Sequence, residues 1–377
     1  MLRVSFFSIF GHIKNATMKK RTLLALLSFP LLIVSCSKEA QEEEPVIDPT
    51  VEYLKANQVV SRFAVLTDGT FAYDAWTAAW YTSNLSGVTQ LSLYGYTLKS
   101  DGTVWGVTTG SYATPFQVSG LSGIVKIANS MSPGGGHLLA LKNDGTVWAM
   151  GNNTYGELGN NSTTNSTTPV QVQGLTNVTS ISSYIGHSLA VKADGTVWGW
   201  GLTSSANGPS TVPLQVAGLS DIVNVSVNYS FAAALTDSGT VYTWGTNGSG
   251  QLGNGTTTPN SIPALVPGLT DVAQVETGNN DLQYNYVIAR KTDGTVWSWG
   301  SNVQGYLGDG TMTDRYSPVQ VNFLTNINYI HADEGSFAID NDHYVWAWGD
   351  NSTGALGINP KPGLATILTS PMRVPRY

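Results

Sequence analysis

The string Asp-Gly-Thr-Val-Trp returns at residues 101–105, 144–148, 194–198 and 293–297. A chain that repeats one short unit along most of its length folds as stacked copies of that unit. Looser copies stand at 237–242 (Asp-Ser-Gly-Thr-Val-Tyr) and 342–346 (Asp-His-Tyr-Val-Trp), and Asp68-Gly69-Thr70-Phe71, with Ala72 in the aromatic slot, makes a seventh. The aromatic slots fall at 72, 105, 148, 198, 242, 297 and 346, a period that belongs to propeller blades.

Each copy reads as short strands around a tight turn, in which glycine supplies the positive φ that a hairpin demands. An alternating strand precedes the turn, as at 188–192, and another follows it, as at 196–200, where Trp198 and Trp200 share a face. A further strand lies upstream, at 178–181 or 222–225, and a fourth is announced by proline at 115–118, 169–172, 213–216, 263–266, 318–321 and 371–374. Proline suits an outer edge strand, because its missing N–H is not needed there. A sheet of four such strands cannot bury both faces alone, so the copies must stack around an axis with their aromatic slots between them. The expected fold is all-β: a seven-bladed β-propeller of four-stranded antiparallel blades spanning 51–377. Whether Val374 completes the last blade or pairs with the N-terminal region stays open.

Composition agrees, with 41 Gly, 11 Trp and 17 Tyr for turns and aromatic packing, and only 11% charged residues. The net charge of -7 and the dispersed Lys and Arg leave no basic patch for phosphates, so nucleic acid is not an expected partner.

The first fifty residues have a different character. Lys19, Lys20 and Arg21 precede a mostly apolar run, 23–34, that is interrupted by Pro30 and is shorter than the roughly 20 residues a membrane helix needs. We read 1–35 as a signal peptide, with Met18 an alternative start. Cys36 is the single cysteine, which rules out an internal disulfide and a multi-cysteine zinc site. Ile33-Val34-Ser35-Cys36 resembles a bacterial lipobox, which implies lipidation of Cys36. Residues 36–50, with Glu39, Glu42, Glu43, Glu44 and two prolines, are expected to form a disordered acidic tether. Ser37 and the acidic run resemble outer-membrane or cell-surface sorting signals, although the run reads equally as a solvated linker.

A second signature, G-x-N-x-x-G-x-L-G, stands at 151–159, 245–253, 300–308 and 349–357. Together with the Asp-Gly-Thr-Val-Trp strings and the proline strands, it resembles the regulator of chromosome condensation repeat over roughly 52–377. The resemblance implies a structural role for that loop. It also implies that the histidine of a Gly-Gly-His-Ser segment braces a strand, a slot matched by His137 and His187 and filled elsewhere by Tyr96 or Ser230. The family's founding member is a guanine-nucleotide exchange factor, a plant ultraviolet-B photoreceptor uses clustered tryptophans, and a secreted β-lactamase inhibitor resembles the fold.

Residue chemistry gives no catalytic set. The five histidines lack metal-ligand spacing, and no nucleophile elbow or phosphate loop is present. No cofactor or metal is expected, and the chain is read as a non-enzyme. The Trp-x-Trp pairs 198/200, 297/299 and 346/348 read as core between blades. Asp333/Glu334 and Asp340/Asp342 read as surface solvation. The loops joining the first two strands of each blade carry Tyr94, Tyr96, Tyr184, Tyr229, Tyr284 and Tyr286. Tyrosine offers large contact area at low entropy cost, so this rim is the expected partner-binding face. The expected function is a lipid-anchored, monomeric binding or scaffold module on the outer membrane or cell surface, recognising a protein or glycan. An inhibitor of a secreted or periplasmic enzyme is the alternative. Exchange-factor activity ranks lower, because a signal peptide leads away from GTPases.

Overall fold

Each Asp-Gly-Thr unit closes on itself before it touches a neighbour. The Asp144 Oδ1 accepts from the Thr146 N–H (3.0 Å) and hydroxyl (2.6 Å), and the same pair of bonds recurs at Asp101, Asp194 and Asp293. Those bonds hold the carboxylates below their usual range. The glycine sits at positive φ. The indole of Trp198 then donates to Thr196 Oγ1 (3.1 Å), with Lys192 above its ring at 5.6 Å. Aspartate, glycine, threonine and tryptophan thus make one hairpin from local contacts.

The computed structural model describes residues 47, 49, 51–60, 63–74, 80–82, 85–92, 96–107, 115–129, 136–202, 209–280, 284–358 and 366–376. Cys36 and Tyr94 lie outside the described residues, as do the expected signal peptide and most of the tether. The described strands pair into seven four-stranded sheets, each an antiparallel meander of four consecutive strands. The fold is an all-β propeller of four-stranded antiparallel blades. No helix among the described residues is long and apolar enough to cross a membrane.

The first strand of each sheet faces the axis: Ala56–Val60, Val88–Leu91, Ile124–Asn129, Val178–Tyr184, Ile222–Val227, Val272–Asn280 and Ile327–Ala332. Each touches the next, and the seventh touches the first. One backbone bond repeats at every junction, from the start of an inner strand to the turn of the preceding sheet. Val88 donates to Gly69, Ile124 to Gly102, Val178 to Gly145, Ile222 to Gly195, Val272 to Gly239 and Ile327 to Gly294, and Ala56 donates to His343 to close the circle.

Val374 does both things the sequence left open. Its N–H donates to Val345 O inside the last sheet, and its carbonyl accepts from Leu54 N at the N-terminal side.

The core lies in the seams between sheets. The sixth, seventh and first sheets share one apolar cluster that includes Tyr286, Trp348, Leu54 and Ala72. Trp200, Trp244, Trp299 and Trp348 are fully buried, as expected for core. Trp198 and Trp297, the first members of two pairs, are only half-buried, each beneath a lysine.

The outer strand of the second sheet begins at Pro115 as expected, whereas four others begin earlier than expected. Ser166–Gln171, Ser210–Gln215, Asn260–Leu265 and Arg315–Gln320 begin three residues before their prolines. The proline is tolerated inside the strand because that edge has no further neighbour.

Candidate binding site

Because strand direction alternates, the loops between first and second strands and those between third and fourth strands emerge at the same end of the sheets. The latter carry the G-x-N-x-x-G-x-L-G signature, and the buried asparagine organises each of them. Asn153 Oδ1 accepts from Leu158 N (2.9 Å), while its Nδ2 donates to the carbonyls of Ser162 and Thr164. Asn247 and Asn302 do the same in their loops. The folded loop then reaches over the next sheet, where Glu157 O accepts from the Trp200 indole (2.7 Å), Gln251 O from Trp299 (2.9 Å) and Tyr306 O from Trp348 (2.8 Å). The signature therefore clamps one blade to its neighbour.

The rim tyrosines separate into two groups. Tyr229 is 40% exposed and meets His187 edge to face at 6.4 Å. Tyr184, one sheet earlier at the same end, is half-buried and lines the central cavity. Tyr96 is half-buried against the core of the second and third sheets, and burial lifts its phenol above the usual range. Tyr284 is half-buried and tilted against Tyr306 at 6.3 Å.

Tyr286 is not a rim residue, and the sequence expectation is corrected here. It is fully buried and stacked flat on Tyr306, centroids 4.9 Å apart, and it donates its hydroxyl to Gly335 O at 2.9 Å.

The strand register explains the error. Tyr286 pairs with Gly300 as His187 pairs with Gly201 and His137 with Gly151, so it occupies the bracing-histidine slot. In the fifth sheet that slot is Phe231, opposite Gly245, and not Ser230. In the second sheet Tyr96 pairs with Gly106, the glycine right after Trp105, so it lies past the slot. In the sixth sheet the first two strands, Val272–Asn280 and Tyr284–Lys291, are longer than their counterparts, so Tyr286 falls inside a strand where local spacing suggested a loop. In each slot the side chain reaches the next sheet: His137 Nε2 meets Ser188 Oγ at 2.8 Å, and His187 is held by a bond to the Tyr229 backbone. Burial depresses His137 to about 3 and His187 to about 4.

The inner strands enclose a cavity of about 550 Å³. Glutamines two residues into these strands stitch the sheets together. Gln90 donates to Ile127 O (2.7 Å) and accepts from Ile127 N (2.9 Å), Gln274 does the same with Ile330, and Gln58 accepts from Leu91 N. In the third sheet this position is Lys126, whose ammonium donates to Ser180 Oγ at 2.8 Å.

Across the cavity stand Glu276, His331 and Asp333, with His331 Nε2 at 3.3 Å from Asp333 Oδ2. Burial lowers Lys126 and raises Glu276. Burial also pulls His331 down, but Asp333 and Glu276 outweigh it and leave the ring above its ordinary value.

Two acids read from sequence as surface solvation are buried instead. Asp333 faces this channel, and Asp340 accepts from the backbone of Asp342 and Tyr344 and from the Trp346 indole. Sequence reasoning missed the channel set because its members converge only when the sheets surround an axis. Among the described residues no group of three His, Cys, Asp or Glu is placed to hold a metal ion.

Two signatures described as regulator of chromosome condensation (RCC1) repeat match the chain, one at 144–191, 238–280 and 293–336, the other at 130–157, 178–208 and 222–251. The chain carries RCC1 repeats. Among solved structures this RCC1-repeat protein is similar to human WBSCR16, with 22% identity over 79% of this chain and 84% of that one and a TM-score of 0.65, a likeness of fold. It also aligns with Prp20p from Saccharomyces cerevisiae, whose structure was described with its binding to Gsp1p and histones, at 20% identity over 67% of this chain and 76% of that one and a TM-score of 0.43. No curated protein matches the RCC1-repeat chain in sequence at a significant level.

Proposed function

We propose that this chain is a lipoprotein tethered through Cys36 to the outer membrane or cell surface, where a seven-bladed ring acts as a non-catalytic module that binds a protein or glycan. The lipobox-like Ile33-Val34-Ser35-Cys36 and the acidic tether support the location. The observation that carries the binding reading is the pairing of Tyr229, exposed and braced by His187, with Tyr184 on the adjacent sheet at the same loop-bearing end. A braced tyrosine presents area to a partner without first losing rotamer freedom.

Two experiments test the two halves. Metabolic labelling with an alkyne palmitate should tag the wild type and leave Cys36→Ala unlabelled; equal labelling would refute the anchor. Affinity capture from intact cells of the source bacterium should return one partner with the wild type and lose it with Tyr184→Ala/Tyr229→Ala. Undiminished capture would refute the rim. If the captured partner is a secreted enzyme whose activity falls in the complex, the module is an inhibitor.

A further inference from the structure

The central channel sets a cation and an anion on opposite walls without joining them. Lys126 comes from the third sheet and Glu276 from the sixth, three sheets apart around the axis, and both line the same cavity of about 550 Å³. They act on each other through space. The Lys126 ammonium bonds to Ser180 Oγ, and the Glu276 carboxylate accepts from Gln274 Nε2 at 3.3 Å. Asp333 and His331 lie on the Glu276 side and pair with each other; His331 also acts on Glu276 through space, but no ion pair joins Glu276 directly to a cation among the described residues.

The Lys126 side of the cavity, on the third and fourth sheets, holds polar atoms with no hydrogen-bond partner among the described residues. Asn129 Oδ1 and Ser183 Oγ are both buried, in residues 6% and 8% exposed. Buried polar groups are normally satisfied, so unsatisfied ones lining a cavity point to a guest that completes them. The volume falls within the range of small-molecule sites. Val125, near one end of the cavity, is 54% exposed, so the wall continues to the surface there.

We propose that this channel binds a small zwitterion, an amino acid or short peptide with both termini charged, its carboxylate at Lys126 and its ammonium at Glu276. Asn129 accepts a hydrogen bond from the guest, and Ser183 can donate or accept. Such a guest gives each isolated charge a partner at once, which neither a simple anion nor a simple cation does. The site meets the tyrosine rim at Tyr184 but is distinct in what it takes, a small molecule held at Lys126 and Glu276 and not a macromolecular partner.

Isothermal titration calorimetry on the full chain in detergent tests this, with triglycine as the probe. One equivalent should bind, and N-acetyl-triglycine N-methylamide, which lacks both charges, should bind at least about tenfold more weakly, the loss expected for charged hydrogen bonds. Lys126→Met should remove the preference for a free carboxylate and Glu276→Gln the preference for a free ammonium, with near-ultraviolet circular dichroism confirming that each variant folds. Absence of triglycine binding to the wild type, or equal affinity for the blocked peptide, overturns the proposal without reference to any variant. Unchanged affinity in both folded variants overturns it as well, by placing the peptide elsewhere.

Discussion

Ala56 donates its backbone N–H to the carbonyl of His343 at 3.0 Å, and through that bond the first sheet meets the last. The other six junctions use a turn glycine as acceptor, but here a histidine with φ of 67° fills the glycine slot. A left-handed conformation costs a residue with a Cβ about 1–2 kcal/mol, part of which glycine gives back as entropy in the unfolded chain. His343→Gly should therefore stabilise the protein by about 0.5–1 kcal/mol. His343→Val should destabilise it. Thermal unfolding midpoints check both, and a lower midpoint for the glycine variant would contradict the account.

Tyr286 brings an aromatic ring and a hydroxyl to the seam between the sixth and seventh sheets. Tyr286→Phe keeps the ring on Tyr306 but removes one of two hydrogen bonds to the Gly335 carbonyl, which still accepts from Asp333 N, at an expected cost of about 0.5–1.5 kcal/mol. Tyr286→Ala removes the ring as well and should cost about 3–5 kcal/mol. Partner capture should be unchanged in Tyr286→Phe. If instead capture fails while the denaturation midpoint stays put, Tyr286 acts at the surface and its burial is misread.

Two glycines with similar φ separate strain from crowding. At Gly156, φ 87°, an added Cβ would stand 2.7 Å from Thr211 Cα on the next sheet, whereas at Gly174, φ 73°, it would meet nothing within 4 Å. Gly174→Ala should cost about 1–2 kcal/mol, the backbone penalty alone. Gly156→Ala adds a clash with backbone and should cost roughly 1–3 kcal/mol more. Equal midpoints for the two variants would show that the clamp loop yields.

Acid should unfold this protein through its bracing histidines. In the unfolded chain they titrate near the ordinary value of 6.5, but in the native seam burial holds His137 to about 3 and His187 to about 4. Their native values are depressed, so below about pH 6.5 the unfolded state takes up protons that the native state refuses. Stability then falls by about 1.4 kcal/mol per pH unit for each histidine until the native values are reached. His331, raised by Asp333, has the opposite slope, contributing below 6.5 and losing its contribution as pH rises through its native value. Urea denaturation between pH 7.5 and 4 should show a declining acid limb that flattens in His137→Asn/His187→Asn. An unchanged limb would mean that these rings are protonated in the native state.

Much of the blade was legible in the sequence because its determinants are local. Asp144, Gly145, Thr146 and Trp148 make their turn from contacts spanning a few residues, and the alternation around them fixes which side chains enter the seam. The strand expected at Pro115 begins there, but four proline strands begin three residues before their proline and the last begins four before, since nothing local marks the start of an edge strand. Tyr286 was misplaced for a related reason. Its face depends on register against Gly300, and the extension of the first two strands up to Asn280 and Tyr284 puts it inside the sheet where composition suggested a loop.

By itself, then, the sequence determined the repeating unit, its turn chemistry and its likeness to the RCC1 repeat, and it placed the tryptophan pairs in the core, which holds for Trp200, Trp299, Trp346 and Trp348 but only in part for Trp198 and Trp297. Only the tertiary structure decided how Leu54, Ala56, Val374 and His343 join the ends, and which polar residues meet at the axis. Lys126 and Glu276 are 150 positions apart in a chain whose short-range pattern treats both as ordinary alternating polar residues. They line one cavity because closure of the sheets around an axis turns alternate positions of the inner strands toward a common space, a relation between distant segments that no local contact encodes.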